Sequence, residues 1–132
     1  MGRRDSNDEK WQECKKEVFR LDGGRCCLCK CMTVKEKLDF EKSMEGEMDQ
    51  TSIIDPAHYK SVSTNTDIMY DPNNVFCLCR TMHNRIDYMK DPYTGKPIDL
   101  ETRENYWQRI INTRKDKKKE IDLEDNFFYE DI

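Results

Sequence analysis

The sequence predicts an α+β fold: a short hairpin with a long loop, a helix directly after it, helices on either flank, and a staple to hold them. Three observations carry that expectation. Thr51–Ile54 and Val75–Leu78 are β-branched and apolar enough for two strands, with a polar, turn-rich stretch between them. Apolar residues recur at spacings of three and four in segments both before and after this pair. Seven cysteines stand in a chain of 132 residues that is 38% charged, with a mean hydropathy of −1.03. So little apolar surface makes a thin core, and a thin core needs a cross-link.

Length and charge set the outer bounds. The chain reads as one domain over residues 1–119 followed by an acidic tail over 120–132. Its opening, MGRRDSNDEKWQ, has no apolar core of a signal peptide, and no run approaches membrane-spanning length, so a soluble cytoplasmic protein is expected. In a reducing compartment, clustered cysteines point to a metal site rather than to disulfides. The net charge of −4 is unevenly spread: Glu120–Ile132 holds six acidic residues and no basic one, which leaves 23 basic against 21 acidic residues in the rest. Phe76–Lys119 carries eleven basic and six acidic residues, and Arg114–Lys119 is nearly all basic, a distribution suited to phosphate contact. The tail alternates acids with Ile121, Leu123, Phe127, Phe128 and Tyr129; it is expected to be solvated, or to compete with phosphate or dock on a partner protein.

Taken in order, the elements are these. Asp5, Ser6 and Asp8 offer caps for a helix beginning near Glu9, with Trp11, Cys14, Val18 and Leu21 on one face and Gly23-Gly24 as its stop. Cys14 lies on that apolar stripe and reads as a core cysteine. Thr33–Gln50 is a charged surface excursion, at most a weakly amphipathic helix interrupted by Gly46. Thr51–Ile54 is the first strand, with Pro56 marking its end or edge. The loop from Lys60 closes on the turn Asp71-Pro72-Asn73-Asn74, and Val75–Leu78 returns as the second strand. A helix from Arg80 puts His83 and Asp87 on one face and ends at Tyr88-Met89. After a turn-rich connector, a last helix capped by Asp99 carries Leu100, Arg103, Trp107, Ile110 and Ile111 on one side.

Two sets of residues carry chemistry. Cys26-x-x-Cys29 has the spacing with which a tight turn offers two thiolates to one zinc ion, although Cys27 and Cys31 leave other pairings open. Cys77 and Cys79, some fifty residues on, provide the second cluster that a four-ligand tetrahedral site requires. The chain has only two histidines, His58 after the first strand and His83 in the helix after the second, with Asn74 between them.

Histidine, asparagine and histidine in that order, with cysteines beside them, resemble the motif of the HNH endonucleases. Leu21-Asp22-Gly23-Gly24-Arg25-Cys26-Cys27-Leu28-Cys29 is similar to the family's Gly-Gly-x-Cys-x-x-Cys knuckle, and Asn74–His83 to its Asn-[Leu/Val]-x-x-Leu-Cys-x-x-Cys-His pattern. Asp55–Tyr59 resembles the bacteriophage HNH recombination endonucleases in particular. The likeness covers roughly residues 10–110. It implies a ββα-metal core with flanking helices and a structural zinc knuckle, and a metal-dependent endonuclease acting on double-stranded or branched DNA in the host cytoplasm. By the resemblance, His58 is the general base, Asn74 pins the long loop and orients His58, and His83 with Asp55 or Asp87 holds a catalytic Mg²⁺ or Mn²⁺. Structural Zn²⁺ is expected on Cys26, Cys29 and Cys79 with Cys77 or Cys31, and Arg80 and Arg85 are candidate phosphate contacts. The chain departs from the pattern twice. Met82 stands where the family has a cysteine, and Ala57 where it has a metal ligand. Asp55, on the same side of an extended chain as Ala57, is the expected substitute. The alternative in another class is a non-catalytic zinc-binding module that recognises nucleic acid or protein.

Overall fold

The computed structural model describes residues 2–114; residues 115–119, four of them basic, and the acidic tail lie outside the described residues. It is a mixed α+β structure. Helices α1 (Gly2–Asp22), α2 (Cys27–Lys30) and α3 (Val34–Ser43) precede β1 (Ile54–His58), β2 (Val75–Cys79) and α4 (Arg80–Asp87). Residues 100–114 form a further helix, α5. No helix among the described residues is long and apolar enough to cross a membrane.

The two strands form one antiparallel ladder with Asp55 opposite Leu78, Ala57 opposite Phe76 and His58 opposite Val75. Expected as Thr51–Ile54, the first strand lies further along the chain, and Pro56 sits in its middle rather than at its end. The phase of the ladder explains why. Backbone bonds from Tyr59 to the Asn74 carbonyl and from Arg80 to the Ile53 carbonyl put the odd-numbered residues of β1 in the bonded positions. Pro56, opposite Cys77, falls in a non-bonded pair, where its missing N–H costs the ladder nothing.

The face of the sheet bearing Ala57, Phe76 and Leu78 packs with Cys26, Cys27, Leu28, Cys79, Met82, Ile86, Tyr93, Trp107 and Ile110 in the larger core cluster. A smaller cluster of Cys14, Val18, Val75 and Cys77 lies between α1 and the other face. Every residue of β2 is buried, which suits a strand covered on both sides. Cys14 is a core residue, as its place on the α1 stripe predicts.

Helix α1 starts at Gly2, several residues before the expected cap, and ends as expected: Gly23 and Gly24 both have positive φ, and the Gly24 amide closes on the Phe19 carbonyl. Its last residue, Asp22, has no solvent exposure. The Asp22 carboxylate accepts from the Cys77 amide at 2.8 Å and from Arg114 Nε and Nη2 at 2.9 and 2.8 Å. Arg114 also donates to the Val75 and Pro72 carbonyls and lies over the Phe76 ring. Its charge is therefore spent inside the fold, against the expectation that it opens a phosphate-contacting run.

Helix α3 has no buried residue, in keeping with a surface excursion. A capping box between Thr33 and Glu36 starts it, and Arg109 of α5 pairs with Glu36 at 2.7–2.8 Å. Asp99 caps α5 through the Thr102 amide at 2.8 Å. Trp107 and Ile110 of α5 are buried as predicted, but Leu100 is 72% exposed and does not belong to that face.

Candidate functional site

The thiols of Cys26, Cys29 and Cys79 lie within 4.8 Å of one another. Cys26 is the N-cap of α2 and Cys79 the N-cap of α4, so two chain segments about fifty residues apart deliver sulfur from equivalent turns. Three soft donors at this spacing fit a thiophilic ion such as zinc. Without an ion they share protons unequally. The neighbouring Cys29 and Cys79 thiols hold the Cys26 thiol well below its usual range, and the same contacts with Cys26 push Cys29 and Cys79 up. A cation entering the cluster would displace the protons held by the latter two.

The expected fourth thiolates do not join this group. Cys77 lies in the smaller core cluster with its sulfur 4.0 Å from the Val18 carbonyl, and burial, followed by nearby Asp22, pushes its thiol up to about 12. Two residues apart on β2, Cys77 and Cys79 would share a face by alternation alone. Cys77 stays on the α1 side, whereas Cys79, the last residue of the strand and the N-cap of α4, is carried into the thiol cluster as the chain turns. The Cys31 thiol is directed to the Leu28 carbonyl and the Tyr93 hydroxyl. Met82 sits there instead, fully buried, with its sulfur 3.9 Å from Cys26 Sγ and 3.8 Å from Cys29 Sγ.

The second constellation centres on His83. Its Nδ1 lies 3.2 Å from Asp55 Oδ2 and its Nε2 3.1 Å from Asp87 Oδ2. Strand β1 supplies Asp55 on the face of Ala57, and one turn of α4 brings Asp87 beneath His83. The Asp87 hydrogen bond raises the His83 pKa against the effect of burial, with Asp55 adding to the rise. Burial alone would raise Asp55, but its hydrogen bonds to Arg80 and His83 outweigh this and lower it. Because the two carboxylates flank opposite ring nitrogens, a single ion on His83 takes one nitrogen, and the other nitrogen keeps its carboxylate.

His58 is placed differently. It ends β1 on the opposite face from Asp55 and Ala57, and among the described residues no hydrogen bond joins it to Asp55, His83 or Asp87. Its ring stacks on Trp11 of α1 at 5.3 Å and 14°, and Nε2 lies 2.9 Å from the Met69 carbonyl. A carbonyl can only accept, so Nε2 carries the proton and Nδ1 the lone pair. Asn74, 5% exposed, ties the long loop to the strand: its carbonyl oxygen accepts from the Lys60 amide, and its Nδ2 donates to the Lys60 and Ile68 carbonyls. That loop carries Met69, so Asn74 supports the carbonyl that holds His58.

Of the two arginines, Arg80 sits beside Asp55 with 43% of its side chain exposed. Arg85 is directed elsewhere. Two residues past His83 on α4, it faces the other way and donates to Ser43 Oγ and the Pro92 and Tyr93 carbonyls, with Phe40 under its guanidinium. It is a structural tie and not a free cation, contrary to its expected role. Lys15 and Lys16 of α1, which no sequence motif marks out, line a shallow depression with Ile54 and Pro56 on the sheet face that His58 occupies. Comparison with protein-family models, with curated proteins and with solved structures yields no match to this chain.

Proposed function

We propose that this protein is a metal-dependent endonuclease of the HNH type, with a ββα-metal core, that hydrolyses DNA phosphodiester bonds. The observation that carries the reading is His83, held between Asp55 of β1 and Asp87 of α4 on its two ring nitrogens. His58 offers Nδ1 as the base, its Nε2 being engaged by the Met69 carbonyl. His83 would hold Mg²⁺ or Mn²⁺. Asp87 has 47% of its side chain exposed and Asp55 only 16%, so the Nε2 side is the open one. On this reading Asp87 is the carboxylate ligand, and Asp55 orients the imidazole through Nδ1. When bound, the cation supplies charge stabilisation to the phosphate. Arg80 stands close enough to contact a neighbouring phosphate, and His58 Nδ1 takes the proton of the attacking water.

A second reading is favoured by one observation: Ala57, where the HNH pattern has a ligand, is 1% exposed and packed in the core. The chain would then be a zinc-binding module that recognises nucleic acid or protein without turnover. Supercoiled plasmid incubated with the full chain and Mg²⁺ or Mn²⁺ separates the two. The nuclease reading expects nicked or linear product, lost in both His58→Ala and His83→Ala while DNA affinity and the folded state persist. Plasmid left intact by wild-type protein with either cation, or cut equally well by His58→Ala, would remove this mechanism.

A further inference from the structure

We infer that the thioether of Met82 completes the cysteine cluster, making a three-thiolate, one-thioether site for a thiophilic d10 cation, zinc in the first instance. The inference rests on the reading of Cys26, Cys29 and Cys79 as metal ligands, and it assigns the fourth corner. A tetrahedron with metal–sulfur bonds of about 2.3 Å has edges of about 3.8 Å. Met82 Sδ lies 3.8 Å from Cys29 Sγ and 3.9 Å from Cys26 Sγ, the separations such an edge requires. It is also fully buried, so water has no open path to the fourth position from its side.

The chain geometry repeats between the two arms. Cys26 caps α2 and Cys29 follows three residues later; Cys79 caps α4 and Met82 follows three residues later. Cys79-x-x-Met82 is therefore the counterpart of Cys26-x-x-Cys29 in space as well as in spacing.

Charge gives the thioether a physical rationale. Zinc with four thiolates carries two net negative charges, whereas three thiolates and a neutral thioether carry one. Cys26, Cys79 and Met82 belong to the same core cluster as Leu28, Leu78, Ile86 and Trp107, apolar groups that do little to solvate an anion. A thioether is the weaker donor toward zinc, and its softness favours thiophilic ions over hard ones. The site thus trades affinity for a smaller buried charge.

X-ray absorption at the zinc edge of the zinc-loaded full chain reads the donor set directly. The expected spectrum has four sulfur neighbours, falling to three sulfurs and one lighter atom in Met82→Leu. Met82→Cys, which keeps a sulfur at the position should the leucine variant not fold, should retain four sulfurs and bind zinc more tightly in chelator competition. Three sulfurs and an oxygen or nitrogen in the wild-type protein would overturn the assignment of Met82 while leaving the three-cysteine site standing. A purified chain that takes up no zinc at all would overturn both, and the four sulfurs would be a packing cluster.

Discussion

Asp22 has the most at stake of any single side chain, because its carboxylate is wholly buried and answers three donors at once. Asp22→Asn keeps the shape but leaves Arg114, whose side chain is 13% exposed, without its counter-charge. Breaking a buried pair from one side costs about 3–5 kcal/mol. The expected outcome is a large fall in the urea midpoint with little change in slope, and an effect within 0.5 kcal/mol or so would mean that water or another group takes over the pairing. At this scale the sequence was legible for residue type and much less so for direction. His83 and Asp87 meet because a spacing of four on a helix fixes their contact, and Asp55 reaches them because strand alternation puts it on the side of Ala57. For Cys77 and Arg85 the sequence offers only proximity along the chain, which says nothing about what their side chains meet. One projects toward α1 and the other toward Ser43 and Tyr93. Met82 is visible as a departure from a cysteine pattern, yet only the folded arms bring its sulfur within 4 Å of the Cys26 and Cys29 thiols.

Among the elements, α3 is the most weakly held. With no buried residue of its own, it depends on the Glu36–Arg109 pair, on Phe40 beneath Arg85 and on Ser43 bonding to the Tyr93 carbonyl. Hydrogen bonding to Arg109 lowers the Glu36 carboxyl from its ordinary 4.5 to about 2. A carboxyl depressed in the folded state contributes fully above its unfolded value, and that contribution is lost as pH falls from about 4.5 toward 2. Amide exchange in α3 should therefore accelerate relative to α1 and α5 across that window. Glu36→Gln keeps the capping box, since glutamine serves at that position, but removes the charge. It should make α3 exchange faster at neutral pH, by about 1–2 kcal/mol of protection, and abolish its extra acid sensitivity. An α3 whose protection follows the rest of the molecule at every pH would show that the pair does not control it. Periodicity and stops make the long helices readable, but β-branched residues point to Thr51–Ile54 for a strand that runs over Ile54–His58. The ladder is set by partners in β2 and accommodates a proline between bonded positions.

For the molecule as a whole, the cysteine cluster joins α2, the end of β2 and the start of α4, and the larger core is built around it. In zinc-loaded protein, removing the metal with a chelator should lower the thermal midpoint and loosen that core first. Trp107, buried in it, should shift to the red in fluorescence; Trp11, already partly exposed on α1, should contribute little to the change. An unchanged midpoint and spectrum after complete metal removal would show that the helices and sheet hold without the staple. The expectation of a cross-link rests on composition, since so charged a chain has few apolar groups, but which thiols come together depends on contacts across fifty residues. The Asp22–Arg114 pair has a consequence beyond stability. A two-stranded sheet leaves the far side of β2 with hydrogen-bonding groups that face no third strand. Asp22 occupies the Cys77 amide there and Arg114 the Val75 carbonyl, so two side chains stand in for a neighbouring backbone. Along the strand richest in apolar side chains, the pair thus takes up two of the groups to which another chain could add edge to edge.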